Sequence, residues 1–136
     1  MPSPKTVIFA CVHNAGRSQM AAALFNLQAD TSTVRGVSAG TNPGAHVHPE
    51  VVVAMKELGV DLSASKPQLL TDELAKEATM LITMGCGEAC PAVRGLRRDD
   101  WPLEDPKGKP VARVREIRDD IQRRIAALVV AEGVGR

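Results

Sequence analysis

The chain has 136 residues, a formal net charge of +1, and a composition that is 44% hydrophobic but only 2% aromatic, with one Trp, two Phe and no Tyr. That length fits one domain, 1–136, with an aliphatic core. Near-neutral charge argues against a partner held by bulk electrostatics, and the lack of aromatic residues removes the usual platform for stacking bases, so neither nucleic acid nor an acidic membrane is expected.

Taken in order, Lys5 to Val12 reads as a buried strand, being a short continuous apolar run. A glycine-containing turn follows. Ser18 to Ala29 reads as a helix rich in Ala and Leu, with Met20, Leu24 and Leu27 recurring at helical spacing. Val34 to Ala39 is a second strand, stopped by Gly40, and Thr41 to His48 is a loop. Pro49 to Leu58 is a helix with Pro at its start and Gly59 past its end. Thr71 to Ala78 is a short helix with acids in its first turn, and Thr79 to Met84 is another buried strand. Gly85 to Pro91 is a cysteine-bearing loop, and Asp99 to Leu103 is expected to form a final short strand. Val111 to about Ala131 closes the chain as a helix, with Val114, Ile117, Ile121, Ile125 and Leu128 along one stripe. The arginines clustered late are interspersed with acids, as on a solvated helix face.

Strands alternating with helices imply an α/β fold, a parallel sheet covered on both faces, whose ligands bind beyond the carboxyl ends of the strands. No run is long enough to span a bilayer. The apolar stretch after Met1-Pro-Ser-Pro-Lys5 is too short for a signal peptide, so a cytoplasmic location is expected. Three cysteines in a reducing compartment suit catalysis, metal binding or reversible redox chemistry better than a structural disulfide.

The first constellation is Cys11-Val12-His13-Asn14-Ala15-Gly16-Arg17-Ser18, between a buried strand and a helix. A helix N-terminus offers unpaired backbone N–H groups and the positive end of the dipole. Gly16 is expected to supply the backbone freedom that curls those groups inward. The fork of Arg17 matches two oxygens of a phosphate-like ion. Cys11 at the base of this cradle would be favoured as the thiolate, with Ser18 donating to it and Asn14 tying the loop to itself. Cys11 is the candidate nucleophile, and Val12 to Ser18 are the candidate oxyanion-binding residues. No Walker-type phosphate loop is present.

Two further segments belong to the same rim. Glu104-Asp105-Pro106 places a carboxylate on a stiffened turn, where it can act as a general acid or be an ordinary Asp-Pro turn. Cys86 and Cys90, four apart among glycines, admit three readings: two inert thiols, part of a zinc site, or a reversible dithiol. Only His13, His46 and His48 remain as other zinc ligands, none at finger-like spacing, and no metal is expected. In the dithiol reading Cys86 attacks Cys11 and Cys90 then attacks Cys86, which supplies two electrons to a bound oxyanion. His13, His46 and His48 receive no assignment, and Trp101 is expected to pack beside the acid loop.

With these residues set out, the chain resembles the arsenate reductases built on the low-molecular-weight protein tyrosine phosphatase fold. The resemblance rests on Cys11 to Ala21, Val37 to Gly40, Thr83 to Pro91, and Asp100-Trp101 with Glu104 to Pro106. It implies a four-stranded parallel sheet and reduction of arsenate to arsenite, with phosphate or sulfate as mimics. It implies Cys11 as nucleophile, Arg17 and the loop amides as oxyanion binders, Asp105 as proton donor, and Cys86 and Cys90 as the relay. Thioredoxin is the implied reductant, with a low-molecular-weight thiol as alternative, and no bound cofactor; a monomer is expected. The same cradle would allow the alternative of a phosphatase hydrolysing small phosphoesters or phosphotyrosine through a Cys11 phosphoenzyme. Some relatives hold potassium near the loop through two carboxylates; the matching positions are Ala22 and Gln68, so that site is not carried over.

Overall fold

A computed structural model describes residues 4–84 and 96–135. Its elements in chain order are β1 (Lys5–Cys11), α1 (Arg17–Gln28), β2 (Val34–Gly40), α2 (Pro49–Lys56), α3 (Asp72–Glu77), β3 (Ala78–Thr83), β4 (Arg97–Asp100) and α4 (Val111–Glu132). The four strands form one all-parallel sheet in the order β2-β1-β3-β4. The chain therefore steps from β1 to one side, then crosses to the other. The carboxyl end of β1, at Cys11, lies where the direction of winding reverses, the place such sheets leave a crevice.

The alternation within β1 explains the layers. Val7, Phe9 and Cys11 face a large core with α1, α2 and α4, while Ile8 and Ala10 face a smaller one with Leu70, Leu74 and Leu81 on the side of α3. Both faces of β1 are covered, which is why its sequence reads as an unbroken apolar run. All three aromatic residues of the chain meet in the larger core: the ring centroid of Phe9 lies 5.5 Å from that of Phe25 and 6.1 Å from that of Trp101. The core is thus aliphatic around an aromatic centre.

Helix ends follow their sequence signals. Pro49 opens α2, Thr71 Oγ1 accepts from the Leu74 N–H at 3.1 Å to cap α3, and Gly133 closes α4 in the left-handed conformation at φ 64°.

Three expectations need correction. The last strand is Arg97–Asp100 rather than Asp99 to Leu103, and all four of its residues are exposed. It is an edge strand whose register is set by Met80 to Thr83 opposite it, with Trp101 N–H still donating to Thr83 O at 2.8 Å. Polar edge strands carry no apolar run to betray them. In α1 Leu27 is 51% exposed, whereas Arg17 to Ala22 are all buried, because the helix starts inside the molecule and emerges toward its end. In α4 Leu128 only edges the core and Val129 is buried instead.

The late arginines are largely paired. Arg115 and Arg118 both clasp Glu57, and Arg118, itself buried, donates to Ala54 O at 2.8 Å. These contacts fasten α4 to the end of α2. No described helix is long and apolar enough to cross a membrane.

Candidate active site around Cys11

The loop from Cys11 to Arg17 is built by turning its carbonyls outward. Cys11 O accepts from Thr41 N–H, Val12 O from Asn42, His13 O from Gly44, Ala15 O from His48 and Gly16 O from Met20, at 2.8 to 3.2 Å. Asn14 O accepts from Gln19 Nε2 at 3.1 Å. In a planar trans peptide the next N–H points opposite to its C=O. Anchoring these six carbonyls outside therefore sends the N–H groups of Val12 to Arg17 to the inside of the curve. Gly16, at the N-cap of α1, brings no capping side chain, and the first turn holds no acid. No side chain caps the first amides of α1, and a helix dipole favours an anion at such an end.

The residue in left-handed backbone conformation is Asn14, at φ 50°, and not Gly16, at φ −149°. Asparagine tolerates that region because its short amide bonds locally. Gly16, with ψ −88° in neither the helical nor the extended region, also has no room for a side chain: a Cβ there would stand 2.6 Å from Pro106 Cγ. Gly40 is equally confined, since its Cβ would come within 2.6 Å of Val12 O and 2.9 Å of Asn14 N.

Cys11 is 2% exposed, and its Sγ lies 2.9 Å from Ser18 Oγ. Asn14 Nδ2 donates to the same Ser18 oxygen at 2.7 Å. With its oxygen engaged as acceptor, the Ser18 hydroxyl has its proton available for the sulfur. The wholly buried Asn14 is itself held through Oδ1, which accepts from Gln19 Nε2 at 3.2 Å and from the Gln68 N–H at 2.9 Å. Sequence reading anticipated Asn14 and Ser18 but missed Gln19 and Gln68, which act only through the folded loop.

Arg17 is buried, donating from Nη1 to Leu103 O at 3.2 Å, with Nη2 3.8 Å from Asp105 Oδ2. The acid loop therefore lies over the anion loop, and Asp105 is its exposed carboxylate, steadied where Lys107 N–H donates to Oδ1 at 3.0 Å. Glu104, its sequence neighbour, goes elsewhere. It pairs with Arg113 at 2.7 Å, a hydrogen bond that holds its carboxyl below the usual range and unsuited to donating a proton. His13 sits at the rim with Nδ1 3.1 Å from Asn42 O. Cys86 and Cys90 lie outside the described residues.

Residues 6–135 match the family described as low molecular weight phosphotyrosine protein phosphatase. The chain belongs to this family. Within it, the chain is 42% identical over 125 residues to a Halobacterium salinarum protein named provisionally as an arsenate reductase, covering 88% of this chain and 87% of that one. It is 32% identical over 123 residues to a Staphylococcus aureus arsenate reductase, covering 87% and 91%. Among solved structures it resembles the Corynebacterium glutamicum thioredoxin-dependent arsenate reductase Cg_ArsC1′, with a TM-score of 0.82 and 40% identity. That likeness covers 95% of this chain but 62% of the longer Corynebacterium chain. The resemblance to arsenate reductases of the phosphatase-like fold thus runs along nearly the whole chain.

Potassium, held near the loop by some relatives, does not suit the residues present. Ala22 offers a methyl group where a carboxylate would be required. Gln68 donates from Nε2 to Ser38 O at 2.7 Å and from its backbone to Asn14 Oδ1. Among the described residues no group of three or more His, Cys, Asp or Glu side chains that could hold a metal ion is present.

Proposed function

We propose that this chain is an arsenate reductase using a three-thiol relay. The observation that carries the reading is the inward curve of loop N–H groups around Cys11, closed by Arg17 and covered by Asp105. Arsenate is a tetrahedral dianion whose oxygens suit those amides and the guanidinium fork.

The Cys11 thiolate attacks arsenic, and Asp105 protonates the departing oxygen, which leaves as water. Cys86 then attacks Cys11 Sγ. The sulfur–arsenic bond breaks with its electron pair going to arsenic, so arsenite leaves and a Cys11–Cys86 disulfide forms. Cys90 attacks Cys86, returning Cys11 as thiolate and leaving a Cys86–Cys90 disulfide. A dithiol such as thioredoxin supplies the two electrons that reset it, a low-molecular-weight thiol being the alternative. The likeness to a thioredoxin-dependent reductase supports the first donor. Phosphate and sulfate act as mimics of arsenate, the catalytic unit is one domain acting as a monomer in the cytoplasm, and no cofactor is bound.

A phosphatase needs the same cradle but only Cys11. The presence of Cys86 and Cys90 in the sequence favours the reductase. The test is arsenate-dependent NADPH oxidation coupled through thioredoxin and thioredoxin reductase. Turnover is expected in the unsubstituted chain and at least 10²-fold less, as an order-of-magnitude figure, in Cys11→Ser, Cys86→Ser and Cys90→Ser. Turnover that survives Cys90→Ser would keep the reductase and assign the last step to an external thiol. Absent turnover, with Cys11-dependent hydrolysis of an aryl phosphate, would make the chain a phosphatase.

A further inference from the structure

The loop before α2 brings another titratable side chain to the rim. His48 occupies the N-cap position of α2 without a side-chain capping bond, and its backbone N–H donates to Ala15 O at 2.9 Å, so its position follows the anion loop. Its ring lies against Gly16: a Cβ there would stand 3.5 Å from His48 Cδ2 and 2.6 Å from Pro106 Cγ. Imidazole and pyrrolidine meet over one α-carbon, with Asp105 next in the chain and 3.8 Å from Arg17. His48 is half-buried. The charged and titratable groups that face it are Asp105 and Lys107 of the acid loop, Glu50 of α2 and His13 of the anion loop.

We propose that His48 is a proton-linked positioning residue, neutral over the empty loop and protonated when a doubly charged tetrahedral oxyanion fills it. The proposal rests on the oxyanion reading of residues 11–18, not on which reaction follows. Burial lowers the proton affinity of the ring; Asp105 and Glu50 raise it, Lys107 and His13 lower it, and the balance falls below the ordinary 6.5. The ring is then neutral at pH 7. A dianion arriving beside Gly16 adds negative charge at close range and favours the imidazolium. Linkage is reciprocal, so the anion must bind more tightly as pH falls through the His48 titration.

Sulfate is the probe, because it keeps its double charge throughout this range. Calorimetric titration into the Cys11→Ser chain near pH 6, in two buffers of different ionisation enthalpy, counts protons taken up per sulfate without the thiol's contribution. Uptake of a fraction of one proton per sulfate is expected. Uptake should fall to near zero in Cys11→Ser/His48→Gln and persist in Cys11→Ser/His13→Gln. NMR of the unsubstituted chain gives a second readout. Saturating sulfate should move the His48 ring-proton titration up by about one pH unit, equivalent to about tenfold tighter sulfate binding below the midpoint than above it. Proton uptake indifferent to His48→Gln, or a His48 midpoint that sulfate does not move, overturns the proposal. No sulfate binding overturns it together with the oxyanion loop. Linked sulfate binding without arsenate turnover overturns only the reductase.

Discussion

At the scale of single residues, the site depends on where side chains are missing as much as on where they are present. Gly16 and Gly40 both lie outside the left-handed region, and neither position has room for a methyl group. At Gly16 the obstacle is a side chain, the ring of Pro106. At Gly40 it is Val12 O and Asn14 N, backbone atoms of the anion loop itself. Gly40→Ala should therefore destabilise the chain by about 1–3 kcal/mol and weaken sulfate binding, since the loop must move to admit the methyl. Gly133→Ala is the control. Nothing lies within 4 Å of its Cβ, so only its φ of 64° is strained, costing about 1 kcal/mol with sulfate affinity unchanged. Urea denaturation and sulfate titration check both, and a Gly40→Ala chain with unaltered sulfate affinity would contradict the loop-packing argument. The crowding around neither glycine was legible in sequence. Gly16 reads as a source of backbone freedom, while the left-handed residue is in fact Asn14.

At the scale of elements, α2 and α4 are joined by charge as well as by apolar packing. Val51, Ala54 and Met55 of α2 meet Val114, Ile117 and Ile121 of α4 in one core, and Glu57 sits beyond the end of α2 between Arg115 and Arg118. Hydrogen bonds from those arginines pull the Glu57 carboxyl from its ordinary 4.5 down to about 2. A carboxylate whose folded value is depressed contributes stability above its unfolded value and loses it as pH falls through the folded one. The contribution of Glu57 is thus complete above about pH 5 and disappears between 4.5 and about 2. Thermal melts of the unsubstituted chain and Glu57→Gln should differ near neutrality and converge toward pH 2. A gap that persists in acid would mean the arginines act through packing alone. Helices were the most legible elements because their apolar spacing and end signals are local. The clasp on Glu57 was not, since its partners are distant in sequence and a run of arginines among acids reads simply as a solvated face.

At the scale of the whole molecule, β1 links core and chemistry. Phe9 is wholly buried between Phe25 of α1 and Trp101 after β4, and two residues further on the strand delivers Cys11. Phe9→Ala should cost about 3–5 kcal/mol, a large part of the 5–15 kcal/mol that holds a typical domain together. Because Trp101 belongs to the same cluster, its fluorescence and the helical circular dichroism should still be lost in one urea transition at a lower midpoint. Separate transitions would mean that the acid-loop side of the sheet unfolds independently. The sequence by itself determined the strand and helix alternation and the parallel sheet, and it singled out Cys11 to Ser18 as a candidate oxyanion loop, because apolar periodicity, end signals and the chemistry of side chains are all written locally; Asp105 it left between an acid and an ordinary turn. Only the tertiary structure decided that Asp105 faces Arg17 while Glu104 turns to Arg113, that Gln19 and Gln68 hold Asn14, and that His48 lies over Gly16. Those outcomes depend on which distant segments the crossing at the end of β1 brings within a few ångströms, and distance through space leaves no mark on local spacing.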